Sequence, residues 1–246
     1  MLYSWTASHV DTKYKPILLK QMIESLLINK IKNIIISISF DEKYELNEIN
    51  YMKKHINIMN DNLSNTYEES EIYIEYQNTP MTQFEHLQYI YNNYNFNDDD
   101  IILFMDDDDI LLELPKDYDK YDGVMGYQYS PIDTCEFDET YIKDINEIIN
   151  CKDIFEEQWN KVEDFSGYMS RYNFLHHYFI ITRNEMYEEA NNIGQKYINS
   201  LKAMEDIKFM KYLDNFIDYK YDKPFVFHRI WNTDDRHIKT WQRMLE

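Results

Sequence analysis

Residues 101–115 are Ile-Ile-Leu-Phe-Met-Asp-Asp-Asp-Asp-Ile-Leu-Leu-Glu-Leu-Pro. Five apolar residues lead into four consecutive aspartates, Asp106 to Asp109, and apolar residues then resume. The apolar run predicts a buried strand. Four adjacent carboxylates at the end of such a strand repel one another, so they are costly unless a positive charge lies among them. A hard divalent cation with oxygen ligands is the natural candidate. The alternative is an acidic surface turn, which is the interpretation for Asp98–Asp100 just upstream.

The composition indicates a folded and strongly acidic protein. A chain of 246 residues with 44% hydrophobic residues fits one large α/β domain or two small ones. The net charge of −20 opposes binding to nucleic acid or anionic membranes, so an anionic substrate would need a metal ion or a local cluster of cations. Cys135 and Cys151 form no CxxC motif, which favours a reducing compartment. Residues 1–10 show no signal-peptide pattern and no stretch is long and apolar enough to span a membrane, so we expect a soluble, cytoplasmic protein.

Strands and helices alternate along the first half of the sequence. The β-branched and apolar runs predict strands at Met1–Ser8, Asn33–Phe40, Glu71–Tyr76 and Ile101–Met105. Apolar residues at helical spacing predict helices that start at Pro16, cover Leu46–Met59 and cover Met81–Asn93. This alternation predicts an α/β fold with parallel strands and helices on both faces of the sheet.

Polar residues follow three of these predicted strands. Thr6 and Ser8 end the first strand, Asp41 follows the second, and Asp106–Asp109 follow the fourth. The carboxyl ends of parallel strands lie at one edge of the sheet, which is where such sheets bind ligands. The sequence therefore predicts that these residues converge on one ligand site.

The second half is less regular. It predicts strands at Gly123–Tyr129, Tyr178–Thr182 and Phe225–Ile230 and helices at Asn184–Ile198 and Leu201–Phe216.

The sequence resembles the GT-A glycosyltransferases, most closely their family-2-like group. The segments that carry the resemblance are Ser25-Leu26-Leu27, Ile34–Asp41, Gln83-Phe84-Glu85-His86, Phe104–Pro115, and Glu205-Asp206 with Phe209 and Leu213 after them. The resemblance covers the first half well and the second half only at these points. It implies a single GT-A (Rossmann-like) domain with a mostly parallel central sheet. Residues 1–115 would form the half that binds the nucleotide-sugar donor, and residues 116–246 the acceptor-binding and catalytic half.

The resemblance also implies roles for individual residues in the donor site. The base and ribose of the nucleotide-diphospho-sugar, most simply a UDP-sugar, would lie along Thr6, Ser8 and Asp41. Within the acidic run, the family pattern gives the ribose contact to Asp106 and the metal to Asp108. A shift of one residue would give these roles to Asp107 and Asp109, and both registers stay open. The residues implied around the donor and metal are Thr6, Ser8, Asp41, Gln83, His86, Asp106 and Asp107 for the nucleotide-sugar, and Asp106, Asp108 and His228 for the metal.

The chemistry of the reaction agrees with this assignment. Mn²⁺ or Mg²⁺ would stabilise the charge that develops on the diphosphate leaving group, and a histidine ligand such as His228 would favour Mn²⁺. In the resembling family, the base that deprotonates the acceptor hydroxyl comes from the helix that begins with the Glu-Asp pair. Asp206 is our first choice, with Glu205 as the alternate. Direct attack assisted by such a base inverts the anomeric carbon. The simpler alternative is that the two carboxylates only stabilise the start of the helix through their interaction with the helix dipole.

The leading prediction is therefore a metal-dependent, inverting glycosyltransferase of the hexosyltransferase type. Its acceptor would be a glycan, a protein or a small molecule. The alternatives are a non-catalytic relative that binds nucleotide-sugars, an acidic module that binds divalent cations, and a sugar nucleotidyltransferase. The last lacks support, because no Gly-rich loop with Arg or Lys follows the first strand.

Overall fold

The computed structural model describes residues 1–11, 15–129, 165–179 and 212–227. Eight strands form one sheet in the order β3-β2-β1-β4-β7-β6-β8-β5. The strands are β1 (Leu2–Val10), β2 (Asn33–Phe40), β3 (Glu71–Tyr76), β4 (Ile101–Asp106), β5 (Ile110–Leu111), β6 (Gly123–Tyr129), β7 (Phe165–Arg171) and β8 (Tyr219–Phe227). The helices are α1 (Lys15–Ile28), α2 (Leu46–Thr66), α3 (Gln83–Asn93) and the single turn α4 (His176–Phe179).

The first half has the predicted parallel arrangement. Strand β1 lies between β2 and β4 and is parallel to both, and β2 is also parallel to β3. Strand β7 then runs antiparallel to β4 and β6, whereas β6 and β8 are parallel. The sheet is therefore parallel where the chain alternates between strand and helix, and mixed beyond β4.

Hydrophobic side chains pack on both faces of this sheet. Along β2, Ile34, Ile36 and Ile38 pack with α1 and α2 on one face, while Ile35 packs with α3 on the other. Successive side chains of a strand point to opposite faces, so a continuous apolar run such as Ile34–Ile36 needs helices on both sides. The prediction of a sheet covered on both faces is confirmed.

Local capping explains where α3 begins. The Thr82 Oγ1 accepts a hydrogen bond from the Glu85 backbone N–H at 3.3 Å, and the Glu85 carboxylate accepts one from the Thr82 N–H at 2.8 Å. This reciprocal pair satisfies two N–H groups that a helix start leaves open. It places Gln83 as the first helical residue, two residues later than Met81, where the sequence predicted the helix to start.

Four expectations about local structure differ from what is observed. Helix α2 continues to Thr66 rather than ending at Met59, because Leu63 extends its buried side. The predicted strand 178–182 begins inside α4, whose Tyr178 and Phe179 pack among aromatic rings. The last strand starts at Tyr219 rather than at Phe225, and residues 228–230 of the predicted strand lie outside the described residues. Asp100 is buried rather than part of an exposed turn, because its carboxylate accepts hydrogen bonds from the Asn97 backbone N–H at 2.8 Å and side-chain amide at 3.2 Å.

Within the described ranges, no helix combines the length and the apolar character needed to cross a membrane. The predicted helix 184–198 and most of the predicted helix 201–216 lie outside the described residues.

Candidate functional site

The carboxyl ends of β1 and β4 are joined by a buried hydrogen bond. Ala7 of β1 is in register with Asp106 of β4, so the residues that follow each strand leave the sheet side by side. The Ser8 hydroxyl donates to Asp107 Oδ2 at 2.6 Å across 99 residues of sequence. The predicted convergence of Ser8 with the acidic run is therefore present as a direct contact.

The four aspartates form a tight turn with alternating burial. The Asp109 backbone N–H donates to the Asp106 carbonyl at 3.2 Å, which closes the turn between β4 and β5. Asp107 and Asp109 are buried, Asp108 is partly buried and Asp106 is exposed. The accessible carboxylates are thus the first and third of the run.

Helix α1 fixes the far side of this turn. The Leu111 N–H donates to Ser25 Oγ at 3.0 Å, and the Asn29 side-chain amide donates to the Leu111 carbonyl at 3.0 Å. These contacts satisfy both the backbone N–H and the backbone carbonyl of Leu111. Only Ile110 separates Leu111 from the last aspartate of the turn. The turn is therefore held at both ends, by Ser8 at one and by α1 at the other.

A lysine that the sequence analysis missed lies among the aspartates. Lys15, the first residue of α1, places its ammonium 2.6 Å from Asp107 Oδ1 and 3.2 Å from Asp108 Oδ2. The Lys15 side chain is only 16% exposed, so solvent screens the ion pairs weakly. In the sequence, Lys15 stands just before Pro16, at the start of the helix that follows β1. This position could have indicated that Lys15 lies near the ligand edge, by which we mean the sheet edge formed by the carboxyl ends of the parallel strands.

Burial and charge oppose each other in this cluster. Burial raises the pKa of Asp107 to about 6, even though the Lys15 ammonium and the Ser8 hydroxyl lower it. For Lys15, burial lowers the pKa, but the charges and hydrogen bonds of Asp107 and Asp108 outweigh burial and raise it above the ordinary lysine value. Lys15 therefore stays charged at neutral pH, and Asp107 takes up a proton at a higher pH than an ordinary aspartate does.

Gln83 extends the polar surface from α3 to the acids. Its side-chain amide donates to Asp106 Oδ1 at 3.0 Å. Because Gln83 is the first residue of a capped helix, its backbone position is fixed and its side chain can orient the exposed carboxylate. The structure thus places Gln83 beside the acidic run.

Asp41 lies at the end of the neighbouring strand. Its N–H donates to the Val10 carbonyl at 3.1 Å, so Asp41 sits against the last residue of β1. Its carboxylate accepts from the Lys43 N–H at 2.9 Å and lies 3.9 Å from His9 Nε2. The side chain is one-third exposed, which leaves it accessible at the ligand edge.

Thr6 and His86 occupy the interior rather than the ligand edge, in contrast to their expected roles. Thr6 is fully buried and its hydroxyl faces the sulfur of Met22 at 3.9 Å. His86 is 1% exposed, and its two ring nitrogens lie 2.7 Å from Ser37 Oγ and 2.9 Å from Ser39 Oγ. His86 points inward because its position on α3 faces β2, where it hydrogen-bonds two buried serines.

The remaining predicted residues, Glu205, Asp206 and His228, lie outside the described residues. Across the described ranges, no group of three or more His, Cys, Asp or Glu side chains is arranged to hold a metal ion. The carboxylate oxygens of Asp106 and Asp108 nevertheless suit Mg²⁺ or Mn²⁺. Such ions are commonly held by one or two carboxylates, with substrate phosphates and water completing the shell.

Comparisons with solved structures identify the fold. A structure of TarS from S. aureus matches 99% of this chain and 39% of that chain, with 14% identity and a TM-score of 0.51. A structure of S. aureus TarS 1–349 matches 93% of this chain and 60% of that chain, at 12% identity and a TM-score of 0.49. M. tuberculosis glucosyl-3-phosphoglycerate synthase matches 96% of this chain and 74% of that chain, at 10% identity and a TM-score of 0.42.

The chain therefore has a GT-A fold of the kind found in family-2-like glycosyltransferases. It spans less than two thirds of either TarS structure. No protein-family model matches the sequence, and no curated protein matches it either.

Proposed function

We propose that this protein is a glycosyltransferase that moves a sugar from a nucleotide-diphospho-sugar to an acceptor hydroxyl. The observation that carries the proposal is the turn Asp106–Asp109 at the carboxyl end of β4, held by Ser8 of β1 and contacted by Gln83 of α3. A sheet edge of this kind is the usual ligand position in open α/β folds. The GT-A fold supports the reaction class, and the placed acids support the substrate class.

The donor half would be built from residues 1–115. Asp41, next to the end of β1, would contact the base or ribose, and UDP is the first candidate nucleotide. Asp106, oriented by Gln83, would accept a hydrogen bond from the ribose. Ser8 holds Asp107 so that the turn presents the first and third acids outward.

Asp106 and Asp108 would hold Mn²⁺ or Mg²⁺, with His228 as a further ligand. When bound, the ion supplies positive charge that stabilises the diphosphate leaving group. This protein has a net charge of −20, so an anionic donor needs such local positive charge.

The acceptor half would be built from residues 116–246. Asp206, or Glu205 as the alternate, would take the proton from the acceptor hydroxyl. Attack from the face opposite the leaving group then inverts the anomeric carbon.

Thermal unfolding with a panel of nucleotides and nucleotide-sugars, with and without Mn²⁺, tests the donor site. A ligand present at about 100 times its Kd stabilises the folded state by about 2.7 kcal/mol. For a chain of this size, that raises Tm by roughly 5–10 °C. We expect one nucleoside diphosphate to produce such a shift only when the metal is present. If no nucleotide shifts Tm at saturating metal, the proposal is wrong.

Two variants separate the metal site from the base. Asp108→Ala should remove the metal dependence of nucleotide binding, whereas Asp119→Ala, at an exposed acid away from the turn, should keep it. Asp206→Asn should abolish sugar transfer while nucleotide binding persists. Transfer that survives in Asp206→Asn and is lost in Glu205→Gln would assign the base to Glu205 instead.

A further inference from the structure

The ammonium of Lys15 is the positive charge that contacts the acidic turn. Its ammonium bridges Asp107 Oδ1 at 2.6 Å and Asp108 Oδ2 at 3.2 Å. The three side chains are 16%, 8% and 14% exposed, so the cluster lies largely out of water. Water screens the attraction of this ion pair less than it would on the surface, and removing one partner leaves the other buried and uncompensated.

The two aspartates differ in how firmly they are held. Both oxygens of Asp107 have partners on this chain, Lys15 at Oδ1 and the Ser8 hydroxyl at Oδ2. Asp108 lies farther from the ammonium and shares it with Asp107. A rearrangement of Lys15 would therefore remove this ion pair from Asp108, whereas Ser8 would still hold Asp107 in place.

A divalent cation and the ammonium compete for the same carboxylate. A divalent cation and an ammonium that lie this close together repel each other strongly in a site that water screens weakly. The long stem of a lysine is flexible, and its ammonium has three donors, so it can turn toward an anion that arrives beside the turn. The diphosphate of a nucleotide-sugar is such an anion.

We propose that Lys15 is the resident counter-ion of the acidic turn and a diphosphate-binding residue of the donor site. In the free protein it holds Asp107 and Asp108 and keeps affinity for a divalent cation low. When the nucleotide diphosphate binds, Lys15 contacts the diphosphate and leaves Asp108 to the cation. Metal and nucleotide diphosphate consequently bind with positive cooperativity. The inference rests on the proposed function, because it assigns a residue to the same donor site.

Calorimetric titration tests the inference without any measurement of sugar transfer. Mn²⁺ is titrated into the protein alone, and UDP is titrated into the protein with saturating Mn²⁺. Lys15→Met should bind Mn²⁺ alone about 10- to 100-fold more tightly than the wild type, and UDP at least about tenfold more weakly. Lys15→Arg keeps the charge and should retain weak binding of Mn²⁺ alone.

The same helix supplies a matched control. Lys20 on α1 is 49% exposed and pairs with Glu24 one turn away, so Lys20→Met removes an equal charge from α1 outside the acidic turn. It should bind both Mn²⁺ and UDP as the wild type does. Lys15→Met leaves Asp107 buried without its cation. A second variant, Lys15→Met/Asp107→Asn, therefore removes both charges. Its asparagine still offers an acceptor for the Ser8 hydroxyl. Circular dichroism verifies that each variant is folded.

The outcomes are distinct. Equal Mn²⁺ affinity in the wild type and in both Lys15→Met variants overturns the inference and leaves the proposed function standing. Tighter Mn²⁺ binding with unchanged UDP affinity overturns the contact between Lys15 and the diphosphate. If no variant binds Mn²⁺ with or without UDP, both the inference and the metal dependence of the proposed function are wrong.

Discussion

Asp107 should make the metal-free protein less stable as pH rises from about 4 to about 6. Burial raises its pKa to about 6 in the folded state, from an ordinary value of 3.8. Across this window the folded protein retains a proton that the unfolded chain has lost. The free energy of unfolding therefore falls with rising pH, and the penalty is complete above about pH 6.

The size of the effect follows from the shift in pKa. A shift of about two units corresponds to about 3 kcal/mol, since each unit is worth about 1.4 kcal/mol. Asp107→Asn removes this titration, and the asparagine amide oxygen can still accept the hydrogen bond from Ser8. In the wild type Lys15 stays charged throughout the window, because Asp107 and Asp108 raise its pKa. The stability of wild type relative to Asp107→Asn should therefore fall by up to about 3 kcal/mol between about pH 4 and about pH 7.

Urea unfolding followed by circular dichroism, in buffers containing EDTA, measures this difference directly. Asp61→Asn is the control, because Asp61 is exposed on α2. Its free energy of unfolding should follow the wild-type pH profile. If the wild type and Asp107→Asn have parallel pH profiles, then Asp107 does not carry the raised pKa and the account of the buried cluster is wrong.

Two further substitutions probe the packing that supports the site. His86→Leu should lower the free energy of unfolding by roughly 1–3 kcal/mol, because it removes one hydrogen bond from each of two buried serine hydroxyls, Ser37 and Ser39. His55→Leu, at an exposed histidine of α2, is its control, and an equal loss in both would refute the interior role of His86. Gly126→Ala should destabilise by roughly 1–3 kcal/mol, because its Cβ would overlap the Cβ and Cγ of Phe225 on β8. Urea unfolding measures all three, and a stable Gly126→Ala protein would show that β6 and β8 can move apart.

The sequence predicted the parallel half of the fold well for a physical reason. Asn33–Phe40 and Glu71–Tyr76 are observed with their predicted bounds, because β-branched runs between polar turns leave little choice of structure. The sequence pattern did not predict the order of those strands whose neighbours are distant in sequence. It could not show that Phe165–Arg171 inserts between β4 and β6, since no local signal specifies that neighbour.

The interior histidine shows a second limit of the sequence pattern. Gln83 and His86 are three residues apart on α3, so they share one side of the helix, and both were expected near the ligand. Gln83 reaches Asp106, but His86 lies deeper and meets Ser37 and Ser39 of β2. The serines in the apolar run of β2 were the available signal, because a hydroxyl buried in a strand needs a partner from the covering helix.

The acidic turn shows what the structure adds to a motif. The sequence left two registers open. In the structure Asp107 and Asp109 face inward, whereas Asp106 is exposed and Asp108 only partly buried. Both oxygens of Asp107 are engaged by Lys15 and Ser8, so using Asp107 as a metal ligand would break a buried contact. This cost favours Asp106 and Asp108 as the residues that meet a ligand. It also explains why four adjacent carboxylates are tolerated here: one lysine, distant in sequence from the motif, compensates the buried charge.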